Sequence, residues 1–387
     1  MTEQSSPFGN ISIETFLQEY WQKKPLLIRN AFPDLEAPVG ADELAGLACE
    51  EDVEARLVIQ GPEEDQWELK HGPFNEDTFA ALPEDNWTLL VQAVDHWVPE
   101  ANDIVEQFRF IPNWRYDDLM VSFASQGGGV GPHYDNYDVF LIQTQGKRRW
   151  EVGGFFDQNS PRRPDMPVMI IPDWEAENTW VLEPGDMLYI PPQVGHNGVS
   201  ESDDCMTYSV GFRAPSHAEI LRSFTDFVGE KLTSESRYTD PDLKLQDNPG
   251  QIEADSLQQV RDIFNQYLND DAQLSKWLGE FVTDPKYPDL DQAPEDEISL
   301  EQLQETLTDG DLLLSRNEGS RFSFFQLPEN RVRLFVDGES FLCEGAICSL
   351  ATSLCQNPNI VINRGDWSDE ALKILVQLLN QGSVYCE

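Results

Sequence analysis

Residues 127–140 read GGGVGPHYDNYDVF, and the reading of the whole chain turns on them. His133 and Asp135 stand two apart, just before an apolar run. On an extended strand, side chains two apart share a face, so the imidazole and the carboxylate converge on one ion. A second imidazole comes from His196 in YIPPQVGHNG, residues 189–198. There, LEPGD supplies a turn at Pro184 and Gly185, a strand runs to Ile190, and a Pro-Pro exit sets His196 beside the same pocket. Two imidazoles and one carboxylate leave three positions open on an octahedral iron(II), enough for a bidentate 2-oxo acid and dioxygen. A lone HxD pair is usually chance or structural. Here the chain holds five histidines in all, and these two lie beside Gly and Pro turns at strand edges. His71, His96 and His217 lack such partners and read as satisfied or surface residues.

A 2-oxo acid needs a cation for its distal carboxylate. In GKRRWEVGG, residues 146–154, Arg148 shares strand parity with Trp150 and Val152, so if those two face the core Arg148 does too. A guanidinium suits bidentate carboxylate capture, and burying one without an anion is costly. The competing reading is an arginine that snorkels to the rim. In DDLMVSFAS, residues 117–125, Asp118, Met120, Ser122 and Ala124 share one face, small and polar enough to line a pocket. Tyr137 lies on the side of His133 and Asp135 if that strand runs straight. Asp118 and Tyr137 are therefore candidate substrate contacts, although aromatic strand residues are more often core.

Other chemistries fit less well. Gly127–Gly129 and Gly131 are not followed by the helix and lysine of a phosphate loop. DNYD lacks the glycine and distal glutamate of a calcium loop. No GxSxG or Cys/His pair signals a nucleophile.

Around this centre the texture of the chain changes three times. Ser12–Lys24 reads as an amphipathic helix with Ile13, Phe16, Leu17 and Tyr20 on one side, closed by Pro25 and followed by a strand at Leu26–Arg29. From about Leu89 to Arg213, short alternating runs between Gly and Pro predict an antiparallel sandwich or barrel. After Pro215 the period becomes helical, through Ile220, Leu221, Phe224, Phe227 and Val228, then Leu257, Val260, Ile263, Phe264, Tyr267 and Leu268. DPKYPDLDQAPEDE, residues 284–297, reads as a linker. Beyond it come helix signals near 300–307, 346–355 and 369–379, and strand signals LLLS, FSFF and VRLFV. The expected fold is mainly β with α: a double-stranded β-helix with an N-terminal helical extension over 1–215, a helical region over 216–283 whose apolar stripes point to dimerisation, a linker over 284–298 and a winged-helix-like domain over 299–387.

The formal balance of 26 basic against 70 acidic residues gives a net charge of -44. That field repels phosphate backbones and anionic membranes and attracts a basic macromolecule. Acidity that serves only solubility is the bland alternative. From Ser299 onward there are 6 basic and 13 acidic residues, which argues against DNA binding by a winged helix. Six cysteines without CxxC spacing signal neither a disulfide framework nor a zinc knuckle and fit a reduced cytoplasm. Met1–Asn10 is polar, and no run approaches the 18 or so apolar residues of a membrane span, so a soluble, untargeted protein is expected.

The blocks WQKKPLLIR, DELAGLA, LLVQAVDHW, DDLM, GGGVGPHYDNYDVF, LEPGD, YIPP and YSVGFRAP resemble the JmjC-type ribosomal oxygenases of bacteria, from the N-terminus to about residue 215. The C-terminal half is compatible with that family's helical dimerisation region and winged-helix-like domain. The resemblance implies iron(II) held by His133, Asp135 and His196, and 2-oxoglutarate held by Arg148 and Ser122. It further implies Asp118, Tyr137 and Ser209 around the substrate side chain. The implied activity is 2-oxoglutarate- and dioxygen-dependent hydroxylation of an arginine in a basic protein of the large ribosomal subunit, by a cytoplasmic homodimer. Histidine hydroxylation, demethylation of lysine or arginine, a non-catalytic cupin-like binder and an acidic chaperone for ribosomal proteins are the alternatives.

Overall fold

Side-chain alternation sets the layers of the first unit. Its strands are β1 (Leu26–Ile28), β2 (Ala55–Gln60), β3 (Trp67–His71), β4 (Trp87–Val91), β5 (Tyr116–Ala124), β6 (Asp138–Gln145), β7 (Arg148–Phe155), β8 (Asn178–Leu182), β9 (Met187–Ile190), β10 (Val194–Ser200) and β11 (Cys205–Phe212). They form an eight-stranded antiparallel sheet, β1-β9-β6-β11-β5-β4-β2-β3, and a three-stranded one, β10-β7-β8. On β6, Val139 and Leu141 point inward to a core shared with Trp150, Val152, Leu188 and Ile190 of the neighbouring strands. Phe140 and Ile142 point outward, into a core with Phe16, Leu44 and Ile104. Those three come from α1 (Ile13–Glu19), α2 (Ala41–Leu47) and α4 (Asn102–Val105), while α3 (Glu76–Ala80) follows β3. A sheet buried on both faces explains why β11 is buried at every position. The architecture is the double-stranded β-helix expected.

The computed structural model describes residues 7–63, 66–164, 166–290, 292–362 and 367–386. Of the polar N-terminal stretch, residues 1–6 lie outside these. The chain divides into two compact units, Met1–Ala214 and Pro215–Glu387. No helix among the described residues is long and apolar enough to cross a membrane.

Three local differences from the sequence reading have physical causes. Helix α1 begins at its Ser12 cap but stops at Glu19 rather than reaching Lys24. The chain then turns through Gln22, at φ 56°, whose N–H donates to the Tyr189 hydroxyl at 2.7 Å. Besides β1, the sheet takes in β2 and β3, well before Leu89; β3 is a mostly exposed edge strand whose charged residues give no apolar alternation to read. Strand β10, VGHNGVS, is rich in glycine for a packing reason. A Cβ at Gly198 would stand 2.6 Å from the Trp150 ring.

A buried carboxylate joins the N-terminal segment to this sheet. Asp138, fully buried at the start of β6, accepts from Tyr189 Oη (2.6 Å), Gln22 Nε2 (2.9 Å) and Arg115 Nη2 (3.2 Å).

The second unit holds α5 (His217–Gly229), α6 (Ala254–Leu268), α7 (Asp271–Thr283), α8 (Leu300–Asp309), β12 (Leu312–Arg316), β13 (Phe322–Gln326), β14 (Val332–Val336), β15 (Glu339–Cys343), α9 (Ala346–Gln356), β16 (Asn359–Ile362), α10 (Asp369–Asn380) and β17 (Val384–Cys386). Its sheets are β16-β12-β17 and β13-β14-β15, packed with α8, α9 and α10 around Leu303, Leu314, Leu334, Leu354 and Leu378 as a winged helix. Helix α7 lies against β14, and a Cβ at Gly279 would fall 2.2 Å from the Phe335 ring. Glu280 accepts from Ser340 Oγ at 2.7 Å, and Thr283 Oγ1 from Gly338 N–H at 3.2 Å. These contacts tie α7 to the sheet across the 284–298 segment that composition marks as a linker.

Removing one member of a buried charged cluster strands the others. Asp138→Ala should lower the unfolding free energy by about 3 kcal/mol, read as a reduced urea midpoint at unchanged slope. A midpoint equal to the parent's would refute the anchoring role.

Candidate active site

His133 and His196 face each other across an isolated antiparallel bridge. The N–H of His133 donates to the carbonyl of His196 at 2.9 Å, and that of His196 to the carbonyl of His133 at 2.8 Å. His133 and Asp135 thus sit in an extended connection three to five residues before β6, not inside a strand as the parity argument assumed. His196 lies within β10, in a stretch with little strand signal. The carbonyl of Asp135 accepts from Gln193 N–H at 2.6 Å, so the loop after β9 fixes this connection from its other side.

The ring orientations follow from neighbouring carbonyls. Nδ1 of His133 lies 2.8 Å from the Gly131 carbonyl and Nδ1 of His196 lies 3.0 Å from that of Val194. A carbonyl only accepts, so each Nδ1 carries a proton, and in the neutral ring it is Nε2 that offers a lone pair. Those Nε2 atoms stand 3.8 and 3.5 Å from Asp135 Oδ2, and one ligand atom from each residue falls within 4.8 Å of the others. An ion about 2 Å from each atom bridges the 3.8 and 3.5 Å separations. Burial first, then the adjacent His133, pushes the pKa of His196 down to about 4, so its imidazole is neutral at ordinary pH. Among the described residues this is the group of three potential ligands that converges. His71 and His217 are exposed, and His96 packs beside Asp95.

The three residues sit on the wall of a cavity of about 360 Å³ between the sheets, which also takes in Asp118, Ser122, Tyr137, Arg148 and Ser209. Arg148 is 5% exposed. Its Nε donates to Cys205 Sγ at 3.3 Å, while its Nη2 is buried without a hydrogen-bond partner. Ser122 is buried, with Oγ donating to the Thr207 carbonyl at 3.3 Å. A buried guanidinium nitrogen in a cavity, with no anion beside it, is the feature a carboxylate ligand would complete.

Asp118 is held rigidly. Its Oδ2 accepts from Gln92 Nε2 at 2.8 Å and from Ala93 N–H at 2.9 Å, Ala93 being left-handed at φ 50°. Gln92 Oε1 in turn accepts from Arg56 Nη2 at 3.1 Å. Ser209 is buried on β11, whereas Tyr137 is 43% exposed on the bend before β6, so the strand does not run straight through it. Sequence reasoning missed Thr88, Gln92 and Arg56, all lining the cavity. The alternation of Thr88 and Leu90 on β4 with Gln92 just past its end could have found the first two.

Comparison with known proteins converges on one family. The JmjC domain family matches residues 103–220, and the ROXA-like winged helix family matches residues 266–385. The chain is 39% identical over 300 residues to the ribosomal protein uL16 3-hydroxylase of Escherichia coli, covering 77% of this chain and 79% of that protein. It is 42% identical over 237 residues to a probable ribosomal oxygenase of Haemophilus influenzae, covering 61% and 56% of the two chains. The structure of YcfD, a ribosomal oxygenase from Escherichia coli in complex with cobalt and 2-oxoglutarate, superposes with a TM-score of 0.84 at 33% identity, over 98% of this chain and 99% of that one. Identity of this order, sustained over more than three quarters of both sequences, means that the chain belongs to the JmjC-type ribosomal oxygenase family.

Proposed function

We propose that this protein is an iron(II)- and 2-oxoglutarate-dependent dioxygenase that hydroxylates an arginine side chain of a large-subunit ribosomal protein, the uL16 homologue. The observation that carries the reading is a cavity with three convergent metal-ligand atoms on its wall and the partnerless Nη2 of Arg148 on the same wall. The donor set fits the metal: two imidazoles and a carboxylate on one side leave the opposite positions for a chelating 2-oxo acid and dioxygen. His133, Asp135 and His196 would hold iron(II), and Arg148 with Ser122 would hold the distal carboxylate of 2-oxoglutarate. When bound, the metal and its cosubstrates supply an oxidant that converts C–H to C–OH while 2-oxoglutarate becomes succinate and carbon dioxide.

The chain's own work is positioning, because a strong oxidant attacks the carbon held nearest to it. Asp118, fixed by two N–H donors, receives the cationic end of the substrate side chain, with Tyr137 and Ser209 beside it. The buried apolar wall of Val139, Leu141 and Trp150 keeps bulk water out. A carboxylate in the pocket favours a cation over the neutral imidazole of a histidine substrate. The net charge of -44 favours a basic protein over nucleic acid as the partner, and assembling ribosomes place that encounter in the cytoplasm.

The active form is a homodimer built on α6. This 15-residue helix buries none of its own side chains, and Leu257, Val260, Ile263, Phe264 and Leu268 are 39–56% exposed along one stripe. So wide an apolar stripe needs a cover, and a second copy supplies one by two-fold symmetry.

Incubating the iron-loaded chain with 2-oxoglutarate, oxygen and a uL16 peptide should add one oxygen to an arginine, by tandem mass spectrometry, with matched succinate. His133→Ala should abolish both while the chain stays folded. Oxidation that survives this change, or that falls on histidine, contradicts the proposal. Asp118→Asn should raise KM for the peptide about tenfold, the worth of one charge-assisted hydrogen bond, and leave KM for 2-oxoglutarate unchanged. Light scattering should give twice the chain mass, and Phe264→Glu with Leu257→Glu should halve it; a monomeric parent rejects the α6 interface.

A further inference from the structure

Three buried side-chain atoms without hydrogen-bond partners belong to residues of the same cavity: Thr88 Oγ1, Arg148 Nη2 and Trp150 Nε1. Thr88 and Trp150 are 0% and 5% exposed. Buried polar groups in folded proteins are almost always satisfied, so orphans that gather around one cavity, here from both sheets, mark the place of a polar ligand. Their chemistry defines it further. Guanidinium and indole N–H groups only donate, and a threonine hydroxyl can donate. The missing ligand is therefore rich in acceptors, as a dianionic 2-oxo diacid is and a cationic side chain is not.

Strand register sets Thr88 at the Arg148 end of the cavity. Thr88 pairs with Ala124, and Ala124 pairs with Cys205. Cys205 Sγ accepts from Arg148 Nε at 3.3 Å. These three residues form one row across β4, β5 and β11, in which Ala124 contributes only a methyl group between the hydroxyl and the sulfur that seats the guanidinium. In the next row Leu90 pairs with Ser122, which pairs with Thr207, so Ser122 borders the same corner. Trp150 lies two residues along β7 from Arg148, and its ring centroid is 5.9 Å from that of His196. The orphaned donors thus extend from the guanidinium toward the histidines.

We infer that the Thr88 hydroxyl donates to the distal carboxylate of 2-oxoglutarate beside Arg148, and so is a further binding residue for the cosubstrate. The inference rests on the reading that this cavity holds 2-oxoglutarate. A carboxylate between a guanidinium and a hydroxyl donor is fixed in rotation as well as in position, which directs the 2-oxo end of the molecule to the metal. Without the ligand, the hydroxyl is a buried, unsatisfied group that destabilises the protein.

That pairing of effects makes the test specific. Thr88→Val keeps the shape and removes the hydroxyl. Anaerobic calorimetric titration of the iron(II)-loaded full chain with 2-oxoglutarate should show Kd raised about tenfold or more for Thr88→Val, with Thr88→Ser close to the parent. The ligand-free unfolding temperature of Thr88→Val should equal or exceed the parent's, and KM for the peptide should be unchanged. Unchanged Kd in Thr88→Val, as expected if a buried water satisfies the hydroxyl, overturns the inference. So does a lower ligand-free unfolding temperature that tracks the affinity loss, the mark of a structural role. Arg148→Gln separates the two levels: weakened binding there with normal binding in Thr88→Val refutes Thr88 alone, whereas normal binding in both refutes the 2-oxoglutarate cavity itself.

Discussion

The reciprocal backbone pairing of His133 with His196 is the constraint on which the rest of the site depends. Two hydrogen bonds of 2.9 and 2.8 Å close a bridge between the connection before β6 and strand β10. They bring together imidazoles that are 63 residues apart in sequence. Because the same backbone carries Asp135 two residues on, one bridge sets all three ligand atoms. The carbonyls of Gly131 and Val194 then choose the tautomer, and the Gln193 N–H holds Asp135. No side chain has to find its place by itself, so a metal held there would meet a site whose ordering cost was met on folding.

In the proposed reading, the sheets would do for the cosubstrate what the bridge would do for the metal. Strands β5 and β11 put apolar residues on the outer face, where Leu119, Val121, Tyr208 and Val210 pack under the helices. Their inner face is left to Asp118, Ser122, Thr207 and Ser209. The outer core secures the strands well enough for the inner face to carry buried polar groups. Some of these groups are satisfied within the protein, as Asp118 is by Gln92 and Ala93. Others are left without a partner, and it is these that define what the cavity takes. Stability and binding are thus divided between the two faces of one sheet.

Much of this was legible in the sequence because strand parity is a local property. Parity alone put Arg148, Trp150 and Val152 together, and it put Asp118 with Ser122; all five are buried, and all but Val152 line the cavity. It failed where the backbone leaves the regular pleat. His133 and Asp135 lie in a bridging connection, and Tyr137 lies on a bend, so its exposure could not be read from spacing. Strand β10 was illegible because its glycines make room for rings from elsewhere in the fold, a tertiary demand with no local signature. Arg56 and the Asp138 cluster depend on pairings across distant strands. The docking of α7 on β14 through Gly279 is of the same kind, a contact that helical periodicity does not record.

An anaerobic crystal structure of the full chain with iron and 2-oxoglutarate, with the metal located by anomalous scattering, is the most direct measurement. The account predicts iron bonded to His133 Nε2, His196 Nε2 and an Asp135 oxygen, chelated by the 2-oxo end of the diacid, with the distal carboxylate on Arg148. Iron held by any other residues, or a diacid whose distal carboxylate lies away from Arg148, would contradict it.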